Sequence, residues 1–167
     1  MSIAEQWAPP AASDIRISRM SEHDLIEVVE IEEQSGLSRW GWAAYYAELQ
    51  TGNRDLMLVA HPAKSSILER RRLIGYIVAR ETAGELHINN VAVRQDYRRR
   101  GIGRALLSRV VTEAERLGVT TAFLEVRHGN LAAQALYEQC GFKAIARRTN
   151  YYSNPTEDAV VMSMNFR

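Results

Sequence analysis

Between Arg98 and Leu117 the chain reads RRRGIGRALLSRVVTEAERL, three arginines running through a Gly-x-Gly into apolar residues at helical spacing. Ile102, Leu106, Leu107, Val110, Val111, Ala114 and Leu117 fall on one side of a helix that Gly118 stops. A stripe that wide must lie across a larger apolar surface. The extended run ELHINNVAV, Glu85 to Val93, stands just ahead of it and supplies a strand. Strand, basic turn and long amphipathic helix in succession commit the chain to an α/β layer structure.

The flanking segments extend that pattern. Ile15 to Ser18 alternates as a first strand, and Ser21 caps a helix with Leu25, Ile26, Val28, Val29 and Ile31 inward, ending near Gly36. LSRWGWAAYYAEL is a Gly-broken aromatic loop leading into a short helix that stops at Gly52. Leu56 to Ala60 is a strand, followed by the polar connection HPAKSSILERRR. Leu73 to Arg80 and Glu85 to Val93 form a hairpin around Ala83-Gly84. Ala122 to Val126 is a strand, Leu131 to Cys140 a helix stopped by Gly141, and the strands Lys143 to Arg148 and Ala159 to Met164 flank YYSNPTED. The order β-α-α-β-β-β-α-β-α-β-β predicts one domain over 15–167, a central mixed twisted sheet with helices on both faces. Residues 1–14, stiffened at Pro9-Pro10, read as a flexible lead-in.

Composition removes several classes of function. With 21 Lys+Arg against 20 Asp+Glu, the chain lacks the basic excess of a general nucleic-acid binder, although Arg70 to Arg72 and Arg98 to Arg100 are local clusters. Cys140 is the single cysteine, and His23, His61, His87 and His128 are scattered, so neither a disulfide framework nor a metal site is expected. Apolar runs are too short for a membrane span, and MSIAEQWAPPAASD has no secretion-signal pattern. These features predict a soluble, cytoplasmic protein with no membrane partner.

A basic glycine turn opening a helix is an anion site in waiting, because glycine bends tightly and unpaired N–H groups converge at the helix start. A dinucleotide fingerprint is disfavoured, since Leu106 stands where its third glycine belongs and seven residues separate Val93 from Gly101. A nucleotide P-loop fails as well: Arg104-Ala105 follows the last glycine in place of Lys-Ser/Thr. A pyrophosphate held by Arg99, Arg100 and Arg104 remains, beside a plain tight turn with solvated arginines.

Other residues carry two readings each. Glu125 shares a strand face with Phe123 and Arg127, and is either an acid with a chemical task or half of an ion pair with Arg127 or Arg80. Tyr137 is a packed aromatic with its hydroxyl at a rim, or a proton donor. Asn130 caps the Leu131 helix. Cys140 reads as a small buried hydrophobe. His87, placed by alternation on the face of Asn89 and Val91, is a reserve proton carrier. Trp40, Trp42, Tyr151 and Tyr152 are ordinary packing aromatics or flank a substrate.

Taken together, NNVAVRQDYRRRGIGRALL and AFLEVRHGNLAAQALYEQCGF resemble the GNAT N-acetyltransferase superfamily, most densely from Asn89 to Phe142. With RRTNYYSNPTEDAVVM after them, they are similar to its RimI-type ribosomal-protein alanine N-acetyltransferases. The resemblance implies a single GNAT-like domain with acetyl-CoA as co-substrate and no metal. It implies that Val91, Ala92 and Val93 present strand backbone to the pantetheine and thioester. It further implies that Arg99, Arg100, Gly101, Ile102, Gly103 and Arg104 cradle the pyrophosphate, that Asn130 hydrogen-bonds the pantetheine, and that Glu125 is general base and Tyr137 general acid. Asn89 stands where such relatives carry an apolar residue, and SRWGW has no Pro-Trp pair. The implied substrate is the N-terminal segment of a small-subunit ribosomal protein, acetylated on its first alanine by a monomer or weak homodimer. Acetylation of a small-molecule amine and non-catalytic acyl-CoA binding are the competing readings.

Overall fold

A computed structural model describes residues 14–37, 39–52, 54–63 and 72–166. The lead-in up to residue 13 and most of the polar connection, with Arg70 and Arg71, lie outside the described residues. Seven strands form one sheet: β1 (Ile15–Arg19), β2 (Met57–Pro62), β3 (Gly75–Thr82), β4 (Glu85–Val93), β5 (Thr121–Arg127), β6 (Lys143–Tyr152) and β7 (Glu157–Asn165). Their order across the sheet is β1-β2-β3-β4-β5-β7-β6. β4 and β5 are parallel, and every other neighbouring pair is antiparallel. Among the described residues four α-helices accompany them: α1 (Leu25–Gln34), α2 (Gly41–Leu49), α3 (Ile102–Arg116) and α4 (Leu131–Gln139).

Alternation along the strands makes two cores. Leu58, Ala60, Ile77, Ala79, Leu124 and Val126 meet the apolar stripe of α3 and, from α4, Tyr137. Met57, Val59, Tyr76 and Val78 point the other way, onto Leu25, Val28, Ile31, Tyr45 and Leu49 of α1 and α2. Gly75 to Ala79 are buried on both faces because helices cover that part of the sheet above and below.

The helical periodicity of α1 sends Leu25, Val28, Ile31 and Glu32 inward, while Ile26 is 77% exposed, against the inward position expected of it. Ile26 lies about 100° around the helix from Leu25, outside the arc that Leu25, Val28, Ile31 and Glu32 span. Leu56 sits in a short 3-10 turn ahead of β2, and β6 runs on through Tyr151-Tyr152, which are strand residues and not loop.

Two irregularities open the sheet. Pairing of β3 with β4 passes from Val78↔Asn90 to Ala79↔Ile88, leaving Asn89 as a bulged extra residue. The bulge reverses the phase of β4. Leu86 and Ile88 belong to the α3/α4 core and Ala92 to the α1/α2 core, while Val91 and Val93 pack against the former. His87 and Val91 therefore lie on opposite faces, which corrects the simple alternation. In addition, β4 pairs with β5 only from Glu85↔Thr121 to Ile88↔Leu124. Past that point the strands part.

Candidate active site

The parting makes a cleft of about 510 Å³ through the sheet. Leu37 and Trp40 line it from the segment joining α1 to α2, Asn89, Asn90 and Val91 from β4, and Glu125 to Arg127 from β5. Asn130, Ala133 and Tyr137 of the α4 region and Tyr151 and Tyr152 of β6 complete the wall.

One side of the cleft is bare strand edge. Arg94 N–H donates to the Ile74 carbonyl at 2.8 Å. Antiparallel alternation then turns the N–H groups of Ala92 and Asn90 toward β3 and those of Val91 and Val93 toward the gap. The Val93 carbonyl shows that direction directly, accepting from Arg98 Nε at 3.1 Å. Ala92 sends its side chain into the α1/α2 core.

The basic turn stands at the end of this edge. Arg94, 7% exposed, is bound to the Leu73 carbonyl (2.6 Å), Glu27 (3.0 Å) and Glu30 (3.1 Å), which ties the turn to α1. Arg99 and Gly101 both take positive φ, +62° and +78°, so the backbone reverses sharply before α3. The helix's first bond runs from Ala105 N–H to the Gly101 carbonyl at 3.0 Å, leaving the amides of Ile102, Gly103 and Arg104 without helical partners. Arg104 Nε is buried with no hydrogen-bond partner. A Cβ at Gly103 would stand 3.4 Å from Leu136 Cδ2, an ordinary contact, so α4 packs directly against this turn. Convergent amides beside an orphaned guanidinium nitrogen fit a phosphate-type anion. Among the described residues no His, Cys, Asp and Glu cluster could hold a metal.

Glu125 lies on the face of Phe123 and Arg127, opposite Leu124 and Val126, as its strand position predicts. Its side chain is 26% exposed and stands 3.6 Å from Arg148. Neither expected partner is taken by it. Arg127 pairs with Glu157 at 3.3 Å and covers the Tyr152 ring at 4.4 Å, while Arg80 is held by the buried Glu48. Tyr137 is buried edge-on against Phe142, with ring centroids 6.0 Å apart. Burial, then the neighbouring Tyr152 and Cys140, push its hydroxyl well above the usual tyrosine range. Asn130 caps α4, Oδ1 accepting from Ala133 N–H at 3.2 Å, and its Nδ2 makes no bond among the described residues. Cys140 is buried and its thiol is pushed up to about 11 by that burial, against the pull of Arg104. His87 reaches the cleft but stacks on Phe123 at 5.7 Å.

Of the four aromatics in doubt, Trp40, Tyr151 and Tyr152 line the cleft, whereas Trp42 stacks on Tyr46 at 4.9 Å outside it. A polar group that the sequence pattern did not announce joins them. Buried Glu32 accepts from Trp40 N–H (2.7 Å), Gly41 N–H (3.2 Å) and the Tyr45 hydroxyl (2.8 Å). That hydroxyl also meets Tyr76 at 2.9 Å and the amide of Asn90 at 2.8 Å. Only the acidic residue inside the apolar stripe of α1 hinted at it.

A profile of the Acetyltransferase (GNAT) family matches residues 25–142. The chain belongs to the GNAT acetyltransferase family. Among its relatives is the [Ribosomal protein bS18]-alanine N-acetyltransferase of Escherichia coli (strain K12), 33% identical over 150 residues, which are 89% of this chain and 95% of that one. The crystal structure of the E. coli ribosomal-protein-S18-alanine N-acetyltransferase superposes with TM-score 0.76 at 32% identity, covering 90% of this chain and 93% of the other. That of Ard1 from Thermoplasma volcanium gives TM-score 0.80 at 25% identity, over 91% and 97%. This GNAT protein is thus an acyltransferase with acetyl-CoA as its donor, and the unpaired amides and orphaned Arg104 nitrogen are suited to the donor's pyrophosphate.

Proposed function

We propose that residues 15–167 form one acetyltransferase domain that moves the acetyl group of acetyl-CoA to the α-amine of an N-terminal alanine on a small-subunit ribosomal protein. The observation that carries the reading is the opened sheet, with Glu125 and Tyr137 both lining the cleft it makes. Its substrate class is supported by the likeness to the bS18-alanine enzyme along nearly its whole length.

Acetyl-CoA supplies a thioester, an activated acyl group on a good leaving group. Arg99, Arg100 and Arg104, with the amides from Gly101 to Arg104, hold the pyrophosphate. The freed edge at Val91 and Val93 pairs with the pantetheine amides as another strand would, and Asn130 Nδ2 adds a donor from the opposite side. Val91 N–H stabilises the developing oxyanion in this scheme. Glu125 accepts the amine proton, directly or through one water. Burial keeps the Tyr137 hydroxyl protonated, so it donates a hydrogen bond to the departing sulfur as the carbon–sulfur bond breaks and serves as the general acid. An α-amine, with a pKa of about 7.7–8.0, is roughly one-tenth neutral at pH 7, whereas a lysine at about 10.4 is under a thousandth. One carboxylate is adequate for the former.

The test is a peptide screen read by mass spectrometry, with acetyl-CoA and peptides copying the first residues of ribosomal proteins. A gain of one acetyl group on the α-amine of an alanine-initiated peptide is expected. Turnover of small amines with no peptide product would overturn the assignment.

A further inference from the structure

The cluster around Tyr45 has a determined proton order. Two backbone N–H groups already donate to the Glu32 carboxylate, which is thereby held as an acceptor. The Tyr45 hydroxyl, 2.8 Å from Oε1, has one proton and gives it there. Its remaining lone pairs then accept from Tyr76 O–H and from Asn90 Nδ2. The orientation of the Asn90 amide is therefore a consequence of the carboxylate and not an arbitrary choice between its nitrogen and oxygen. With Nδ2 turned inward to Tyr45, Oδ1 is turned away from it.

That oxygen is where the cluster meets the cleft. Asn90 is 7% exposed, lines the cleft, and its Oδ1 has no hydrogen-bond partner among the described residues. The Asn89 bulge puts Asn90 and Ala92 on the α1/α2 face of the sheet, which is also the face of Glu125. Two acceptors on different strands thus flank the gap on its α1/α2 side, one able to take a proton and one only able to hold it. A neutral amine has two N–H bonds and one lone pair. Engaging both bonds aims the lone pair.

We propose that Asn90 Oδ1, fixed by the Glu32–Tyr45–Tyr76 cluster, binds one N–H of the acceptor α-amine while Glu125 takes the other. The inference rests on the acetyltransferase reading and on Glu125 as base. Tyr45 is in this scheme a positioning residue, acting only through Asn90. A side-chain amide is suited to the task because it stays neutral and cannot compete for the proton.

The experiment begins with whichever acceptor the wild-type enzyme acetylates, peptide or small amine, so failure of the ribosomal-protein reading is seen separately. Calorimetry then compares that acceptor with its des-amino analogue, in which hydrogen replaces the amine, on wild type and Asn90→Ala saturated with coenzyme A. Wild type is expected to prefer the amine form by about tenfold or more, and Asn90→Ala to lose that preference while binding the des-amino analogue and coenzyme A as before. Tyr45→Phe should raise the acceptor KM severalfold with a smaller effect on kcat, and have no further effect when added to Asn90→Ala. Equal discrimination by wild type and Asn90→Ala would overturn the proposal. So would additive effects of the two substitutions, which a merely structural Tyr45 would give. Should Asn90→Ala not fold, the isosteric Asn90→Leu and Tyr45→Phe carry the same comparison.

Discussion

Glu125 and Tyr137 occupy unlike environments, and their substitutions should separate accordingly. Glu125 faces the cleft beside Arg148 at 3.6 Å, partly solvated. Glu125→Gln keeps the shape and removes the proposed base, so kcat should fall by about 10²–10⁴ with acetyl-CoA affinity unchanged, measured by steady-state kinetics and calorimetry. Tyr137 is packed in the core, and its proton is held more tightly than a free tyrosine's. A raised value means the donating form persists as pH rises, so kcat measured to about pH 10 should show no alkaline fall in wild type. Tyr137→Phe should lower kcat across the whole range and leave the shape of the curve alone. These two residues and Asn130 were singled out in the sequence through the family resemblance, and all three line the cleft. Asn90 and Tyr45 were not, because a buried acid and two phenols at helical or strand spacing look like any other core positions until the chain is folded.

At the scale of elements, the turn and helix from Arg98 to Arg116 were readable because a wide apolar stripe admits one placement. The β4 phase was not. LHINNVAV places apolar residues at 86 and 88 and again at 91 and 93, so Asn89-Asn90 breaks the alternation, but nothing in the residue types says which of the two is the extra one. The bulge is a property of β3 and β4 together. The same holds for Gly75, unremarkable in LIGYIVAR, whose missing side chain lets β3, β4 and α3 meet. A Cβ there would stand 3.0 Å from the Ala92 carbonyl and 3.3 Å from Ile102 Cγ2. Gly75→Ala should therefore push the first turn of α3 away from β4, costing about 1–3 kcal/mol of stability and weakening acetyl-CoA binding, as read by thermal melting and calorimetry. Ile26 teaches the complementary lesson. An apolar residue was assigned inward for its type alone, although its angular position puts it outside the buried arc of the helix.

For the molecule as a whole, the balanced charge hides an asymmetry in what is buried. Tyr45, Tyr76 and Tyr137 are all held above the ordinary tyrosine value chiefly by burial, Tyr152 to about 12 and Cys140 to about 11. The unfolded chain releases a cysteine proton near 9 and tyrosine protons near 10. Above about pH 9 it binds fewer protons than the folded one, and the linkage slope is negative. Stability is thus complete below pH 9 and declines as pH rises through 9 to 12. Melting temperatures taken between pH 8 and pH 11 should fall progressively, and a flat profile would contradict the burial of these groups.

The early parting of β4 from β5 has one more consequence. The two halves of the sheet, β1 to β4 and β5 to β7, are stitched by four residue pairs only. Past Ile88 and Leu124 the two halves share no ladder, so any extended chain that bonded to both facing edges would act as a further rung and stiffen the sheet across its seam.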